Sequence, residues 1–583
     1  MTEQPTLGTN AVARAVFWPA ACVIMIFVIF AVVAPDTAES LFLSVQDKVV
    51  NAFSWYYVLI AAFFVAFTIY VGFSKFGDIK LGQDDDEPEF SNLSWLALLF
   101  AAGMGIGLVF YGVSEPLSHF SSPRPGVTGT TEELAQYSLR QTYLHWGVGA
   151  WAIYVVVGLA LAYAIHRRRR PISIRWALEP LLGAQRVSGR IGDVVDVIAL
   201  VGTVFGVATS LGLGVMQIAS GLESIGVAQA STSLEIGIIA IITCFVIYSV
   251  FSGVTKGMKY LSNINLVLAA VVLLFVLFSG PTLFLLREFV QSIGSYLQNF
   301  VGQSFTVSAF QGETGEKWQG AWTTFYWGWW MSWAPFVGVF IARVSRGRTV
   351  RQFVTGVLLV PTLITFLWFS ILGGTGIYLQ INNKAALLNP DGSVDVESSL
   401  FAMLDHLPGT TIATVGVLIL IAIFFVTSAD SGALVMAMIA SGGNTEPKTW
   451  LRVSFALLSS LLAVALLLGG GLNALKTAAI LIALPFSFVM LATCWSTVIA
   501  FGRETRAYER AQRAAFRDQI GEYYGLEVEH PVRSPFPRLH WSGFKRKPTA
   551  YAAAAPEPAT SSENQTARSA SASAQESLEV DEK

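Results

Sequence analysis

The sequence predicts an all-α integral membrane protein of twelve transmembrane helices, with two inverted five-helix repeats after two extra N-terminal helices. Three observations carry that reading. Of 583 residues, 54% are hydrophobic and only 13% charged, too apolar for an ordinary soluble domain. Apolar runs long enough to cross about 30 Å of hydrocarbon recur along the chain. Two of them, at corresponding places, carry residues that interrupt a helix.

The twelve runs lie at 14–34, 53–74, 93–113, 144–165, 192–219, 233–252, 260–283, 319–342, 351–378, 409–439, 450–469 and 474–502. Even-numbered loops hold 17 Lys and Arg, counting Arg351 and Arg452 just inside the following spans, and odd-numbered loops hold 7, counting Lys476. Lysine and arginine collect on the cytoplasmic side. The chain is therefore expected to be a multi-pass protein of the inner (plasma) membrane with both termini cytoplasmic. Its expected parts are a cytoplasmic tail at 1–13, two preamble helices within 14–92, a first repeat at 93–283 and an interfacial amphipathic helix and loop at 284–318. A second repeat at 319–502, a basic cytoplasmic helix region at 503–548 and a disordered tail at 549–583 follow. Five helices per repeat reverse the sense in which the second repeat enters the membrane.

The first span of each repeat is damaged. The third span carries Gly103, Gly105 and Gly107 at alternate positions, where a helix unwinds at little steric cost. The eighth carries "SWAP" at 332–335. Paired interruptions in inverted halves point to a midplane transport site, because unwound backbone in a membrane must be satisfied by protein or ligand. The plainer reading of the glycines is close helix packing.

The eighth span also holds Trp327, Trp329, Trp330 and Trp333. An interfacial belt would put rings at a span's ends, whereas Trp330 and Trp333 lie mid-span. Trp330, Trp333, Phe336 and Phe340 fall within an arc of about 120° at 100° per residue; Trp329 falls inside it and Trp327 outside. In the fourth span Trp146, Trp151 and Tyr154 share one broad side. A quaternary ammonium has no N–H to offer a carboxylate, so aromatic faces are its natural partners, worth about 2 kcal/mol when desolvated. A cation cage accounts for the rings better than a belt.

Other classes are excluded. No Walker or GxGxxG signature occurs, Cys22, Cys244 and Cys494 lie in separate apolar runs, and the six histidines are scattered with no HExxH. An ATP-driven pump, a disulfide scaffold and a membrane enzyme are therefore not expected, nor is binding to nucleic acid. The N-terminus has no signal-peptide pattern.

At these residues the chain resembles the betaine/carnitine/choline transporter (BCCT) family, most like its sodium-coupled glycine betaine and ectoine members, over about residues 50–505. The resemblance rests on "GMGIGLVFYGVSEP" at 103–116, the Trp-x4-Trp-x2-Tyr of the fourth span, "FYWGWWMSWAPFVGVFIARVSRGRTVRQF" at 325–353 and "FFVTSADSG" at 424–432. It implies an APC/LeuT-like superfold, a homotrimer, and secondary transport of a compatible solute. By resemblance, Trp146, Trp151, Tyr154 and Trp330 box the solute's ammonium, Trp333 and Phe340 line the same path, and Trp329 goes to packing; Trp327, outside the arc, is read as a packing or belt residue. The carboxylate would lie near the unwound backbone of Gly103, Gly105 and Gly107. That segment has no acidic residue to help cationic choline, which favours a zwitterion, glycine betaine first and ectoine next. Proton-coupled or exchange transport of choline- or carnitine-type solutes is the alternative.

For Na+, the resemblance implies a site of carbonyls from Ala101, Met104 and Phe424 with the hydroxyls of Thr427 and Ser428; oxygen ligands suit a hard cation. The plainer reading is that these hydroxyls bond their own helix. A second family site matches at Thr203 and Phe336 but has Val207 where sodium-coupled members have threonine. Ser210, about a turn further on, is the available substitute, so single-ion or weaker sodium coupling is expected. Asp193 and Asp196 are read as solvated at the cytoplasmic end of the fifth span, and Asp430 as a brace for the tenth. Arg503, Arg506, Arg510, Arg513 and Arg517 recur at helical spacing on one face. They are read either as a solvated helix or as a regulatory face for anionic lipid or the acidic loop at 84–89.

Overall fold

The computed structural model describes residues 12–103, 105–252, 255–382 and 387–524. Met104, nearly all of the N-terminal tail and everything after Tyr524 lie outside them. The described chain is helical, with one isolated antiparallel bridge between Lys80 and Thr349. The long helices are α1 (Arg14–Val33), α2 (Pro35–Phe73), α3 (Asn92–Gly103), α4 (Ile106–Ser121), α5 (Thr131–Trp146), α6 (Val148–Ala162), α7 (Arg190–Ser224), α8 (Thr232–Ser252) and α9 (Thr255–Ser279). They continue with α10 (Thr282–Ser304), α11 (Phe325–Arg343), α12 (Val350–Ile381), α13 (Thr410–Ala440), α14 (Thr449–Leu468) and α15 (Gly471–Tyr524). Capping boxes open α5, through Thr130 and Glu133, and α12, through Thr349 and Gln352.

Among the described residues, ten helices or helix pairs are long and apolar enough to cross a membrane. The two expected spans outside that set are the damaged ones. The span at 93–113 is split into α3 and α4, of 12 and 16 residues, each too short alone. The span at 319–342 is α11, which is long enough at 19 residues but carries four indoles on a single helix. The expected unwinding at Ser332 to Pro335 is absent: α11 runs through Pro335 unbroken. A π-helical turn, Gly320–Thr324, precedes it instead. The unforeseen break is at Gly147, between α5 and α6.

Among the described residues, α6 and α11 form the most extensive helix pair. Helix association in lipid rests on close packing rather than on hydrophobic burial, so small residues gather at the contact. A Cβ on Gly149 would lie 2.7 Å from the Trp327 ring, and one on Gly338 would lie 2.6 Å from Val157. Trp327, only 3% exposed, is thus a packing residue and no belt.

At one end of the bundle the loop after α2 meets the loop between α11 and α12. Asp86 accepts from Arg346 at 2.7 Å and from the Gln83 backbone, which holds its carboxyl down at about 2. Arg167 bridges Asp84, at 2.5 Å, and Glu504 of α15, at 2.6 Å. The acidic loop therefore meets Arg167 and Arg346, while the five arginines of α15 are all exposed. Chain contacts divide the protein into a unit ending at Ala514 and a second beginning at Ala515, whose described residues 515–524 are helical.

Asp196 is not solvated. It is fully buried and accepts from Arg175 Nε at 2.5 Å, the Arg175 backbone N–H at 3.0 Å and Ser173; Asp193 pairs with the same arginine at 2.8 Å. Asp430 pairs with Arg452 at 3.2 Å, which ties α13 to α14. Removing one partner of a buried pair strands the other charge at a cost of about 3–5 kcal/mol. Arg175→Ala should therefore markedly lower the apparent Tm in detergent, whereas Arg346→Ala, at an exposed pair, should barely move it; equal effects would contradict the assignment.

Candidate functional site

The site is built at two breaks. The first separates α3 from α4 at Gly105, with φ −151° and ψ −134°. The second is Gly147, with φ −93° and ψ −138°. A side chain there would meet the Tyr143 carbonyl at 2.5 Å and the Phe366 ring at 2.8 Å. Trp146 therefore ends one helix while Trp151 and Tyr154 sit on the next, so a single helical wheel does not describe them. The nearby glycines, Gly147 and Gly149, were the sequence signal for this break.

Gly105, Ile106, Gly107, Trp146, Ser210, Trp329, Trp330 and Trp333 line one cavity. Trp329 and Trp330 stack at 4.8 Å and 14°, and Trp146 meets Trp330 edge-on at 4.9 Å. A Cβ on Gly107 would sit 2.5 Å from the Trp329 ring and 2.9 Å from the Trp146 ring. Trp329 is thus a wall of the cavity beside its packing contacts. Tyr154 lies 6.2 Å from Trp330, and Trp151 lies 5.6 Å from Tyr154, one layer further out. Three polar atoms of this group, Trp151 Nε1, Tyr154 Oη and Trp333 Nε1, are buried without a hydrogen-bond partner. The cavity's volume is about 10 Å³, room for about one water. Phe340 belongs elsewhere, to a cavity of about 660 Å³ shared with Asp86, Glu89, His166, Arg343 and Arg346.

Behind the rings lies a cluster that sequence spacing did not expose. Glu115, His119 and His145 are fully buried, with potential ligand atoms within 4.8 Å of one another. Glu115 Oε1 accepts from His145 Nδ1 at 2.7 Å and His119 Nε2 at 3.3 Å; Oε2 accepts from Trp146 Nε1 at 2.6 Å and from the Tyr326 hydroxyl. Four donors fill the carboxylate's four lone-pair positions, so its chemistry here is anchoring, with no lone pair left for a metal. Nearby, the Lys476 ammonium lies 5.2 Å from the ring centroid of Trp322, 5.3 Å from Phe325 and 5.9 Å from Tyr111. The bundle already holds one ammonium against aromatic faces.

The residues expected around sodium divide. A Cβ on Gly105 would lie 3.6 Å from Ser428 Oγ and 3.9 Å from the Phe424 ring, so α13 faces the first break. Thr427 donates to its own helix, at the carbonyls of Ile423 (2.8 Å) and Phe424 (3.2 Å). Ala101 and Gly103 are in the last turn of α3, and Met104 lies outside the described residues. At the second group, Thr203 donates to the Ala199 carbonyl and Phe336 packs edge-on against Trp333. Val207 packs toward Gly432, and Ser210 donates to the Gly206 carbonyl while accepting from Trp329 Nε1 at 3.3 Å. Its hydroxyl is engaged with the aromatic wall.

Because the Trp146 indole is anchored on Glu115 and the Trp329 indole on Ser210, neither ring yields freely to a methyl group at residue 107. Gly107→Ala should cost about 1–3 kcal/mol by overpacking and weaken solute binding. Melting curves and binding isotherms check it; an unchanged Tm with unchanged affinity would contradict this geometry.

The family model for the BCCT, betaine/carnitine/choline family transporter, matches residues 15–506. The chain is 44% identical over 498 residues to the glycine betaine transporter OpuD of Bacillus subtilis (strain 168), covering 85% of this chain and 96% of that one. It is 38% identical over 518 residues to the ectoine/hydroxyectoine transporter of Virgibacillus pantothenticus, covering 88% and 100%. It is 49% identical over 516 residues to an uncharacterized transporter of Mycobacterium tuberculosis (strain ATCC 25618 / H37Rv), covering 88% and 86%. With its membrane-length helices, the protein is a multi-pass membrane transporter and not an enzyme. The chain belongs to the betaine/carnitine/choline transporter family.

Proposed function

We propose that the protein imports a zwitterionic compatible solute, glycine betaine first and ectoine next, by sodium symport across the inner membrane, with both termini cytoplasmic. The observation that carries the reading is the cavity where the Gly105 and Gly107 backbone meets Trp146, Trp329, Trp330 and Trp333. Ring faces suit an ammonium that cannot donate hydrogen bonds. Free backbone N–H groups at the start of α4 suit its carboxylate, and no acidic side chain lines the cavity to favour choline. The partnerless Tyr154 hydroxyl and Trp333 indole N–H are further donors for an anionic group. The names of the relatives from Bacillus and Virgibacillus agree with this solute class. At about 10 Å³ the cavity holds no such solute as it stands, so loading requires its walls to move apart. In the proposed orientation the larger cavity at Phe340 lies on the cytoplasmic side.

One sodium ion per cycle is the coupling best supported. Ser428 faces the break at Gly105, whereas the second group offers an engaged Thr203 and an apolar Val207. Proton coupling or exchange is the second reading, favoured by that same missing oxygen. A homotrimer, and contact of the exposed α15 arginines with anionic lipid as a regulatory device, belong to the proposal and rest on the family resemblance and on charge.

The test is uptake of labelled glycine betaine and of ectoine into proteoliposomes, driven by an inward sodium gradient, with potassium as control. Accumulation of one solute with hyperbolic sodium dependence, abolished in Trp330→Ala, is expected. Sodium-independent uptake would contradict the coupling, sigmoidal sodium dependence the single ion, and normal uptake by Trp330→Ala the cage.

A further inference from the structure

We propose that Glu115 is the positioning residue of the aromatic site: one buried carboxylate sets the attitude of both Trp146 and Trp330. The inference rests on the proposed ammonium site for its functional meaning, but its geometry stands apart from it. Trp146 is held directly, through Nε1–H to Oε2 at 2.6 Å. Trp330 is held at one remove, since its Nε1–H donates to the backbone carbonyl of His145 at 2.8 Å, and the His145 ring is fixed by Glu115. Gln141 Nε2 and Thr323 Oγ1 lie 3.1 and 3.0 Å from His145 Nε2. The amide donates there, so that nitrogen accepts, and the proton sits on Nδ1, facing the carboxylate. Tyr326, bonded to the same oxygen as Trp146, lies 5.5 Å from the Trp146 ring and 5.9 Å from the Trp330 ring. Hydrogen bonds to an ionised acceptor are the strong ones, and a cation–π contact fades beyond about 6 Å from the ring centroid. Small rotations of these indoles therefore change what the cavity binds.

The position of the oxygens, rather than the charge itself, is what this role requires, and two conservative variants separate the two. Glu115→Asp keeps the charge but is one methylene shorter, so it cannot reach the histidines and the indole together. Glu115→Gln loses the charge but keeps the reach. Its carbonyl can face Trp146 and Tyr326, while its amide faces the histidines, whose protons then move to the other ring nitrogen; for His145 the Thr323 hydroxyl accepts, and the Gln141 amide must turn its oxygen toward the ring.

The measurement is the indole N–H spectrum of full-length protein labelled with 15N-tryptophan, paired with the Kd for glycine betaine. The Trp146 signal is assigned by its loss in Trp146→Phe, and the Trp330 signal in the same way. Glu115→Asp should move both signals and weaken glycine betaine binding by about tenfold, the loss of one well-placed hydrogen bond. Glu115→Gln should keep binding within about threefold, and Glu115→Asp should cost less in the Trp146→Phe background than in wild type, leaving only the share that acts through Trp330. An unmoved Trp146 signal in Glu115→Asp overturns the proposal, as does tighter binding by Glu115→Asp than by Glu115→Gln, or full additivity with Trp146→Phe. If Glu115→Asp does not fold, Tyr326→Phe replaces it. Freeing Oε2 of one donor should shift the Trp146 signal and leave exposed Trp18 and Trp495 unmoved, and an unshifted Trp146 overturns the proposal. Indole shifts as expected, in a wild-type protein that binds no glycine betaine, would leave the positioning intact and sink the transport reading instead.

Discussion

A buried carboxylate among membrane helices is tolerable only when its lone pairs are filled, and Glu115 meets that condition with four donors from four side chains. That constraint orders the centre of the molecule. It ties α4 to α5 through His145 and Trp146, and α4 to α11 through Tyr326. The helix that begins at the first break is thereby fastened to the two helices that carry the rings. Gly107 can lie beneath two indoles because those indoles are fixed from behind. Where packing rather than hydrophobic burial holds helices together, one saturated acceptor gives the bundle a directional joint.

The breaks in the bundle follow from the same need to satisfy buried groups. Among the described residues, the third and fourth expected spans break at Gly105 and Gly147, both lining or flanking the aromatic cavity, and α11 passes through Pro335 without opening. The cavity between them is small, while the one at Phe340 is large. The two spaces share no lining residue.

Much of this was legible in the chain. Span length, the glycines at 103, 105 and 107, and the concentration of indoles in one apolar run follow from composition and periodicity, and each corresponds to an observed helix, break or wall. What was not legible depended on contacts distant in sequence. Glu115, His145 and Tyr326 are separated by 30 and by 211 residues from the carboxylate to each partner, so the histidines looked scattered. Trp329 was assigned to packing by the family resemblance, since helical angle placed it inside the arc of its neighbours; in the fold its ring lies against Gly107, a contact between distant segments. The Gly147 break was hidden because glycines in an apolar run resemble packing residues, and the proline in α11 misled because membrane helices tolerate proline without opening. Asp196 looked solvated because its partner, Arg175, lies in the preceding loop.

The central claim is that the rings around this cavity receive an ammonium. It is tested most directly by a structure of the protein with glycine betaine bound. The account predicts the trimethylammonium group against the Trp330 face, with ring centroids of the box within about 6 Å of the charged nitrogen, and the carboxylate toward Gly105 and Gly107. A solute seated only in the larger cavity beside Phe340, with Trp329 and Trp330 still stacked, would contradict it.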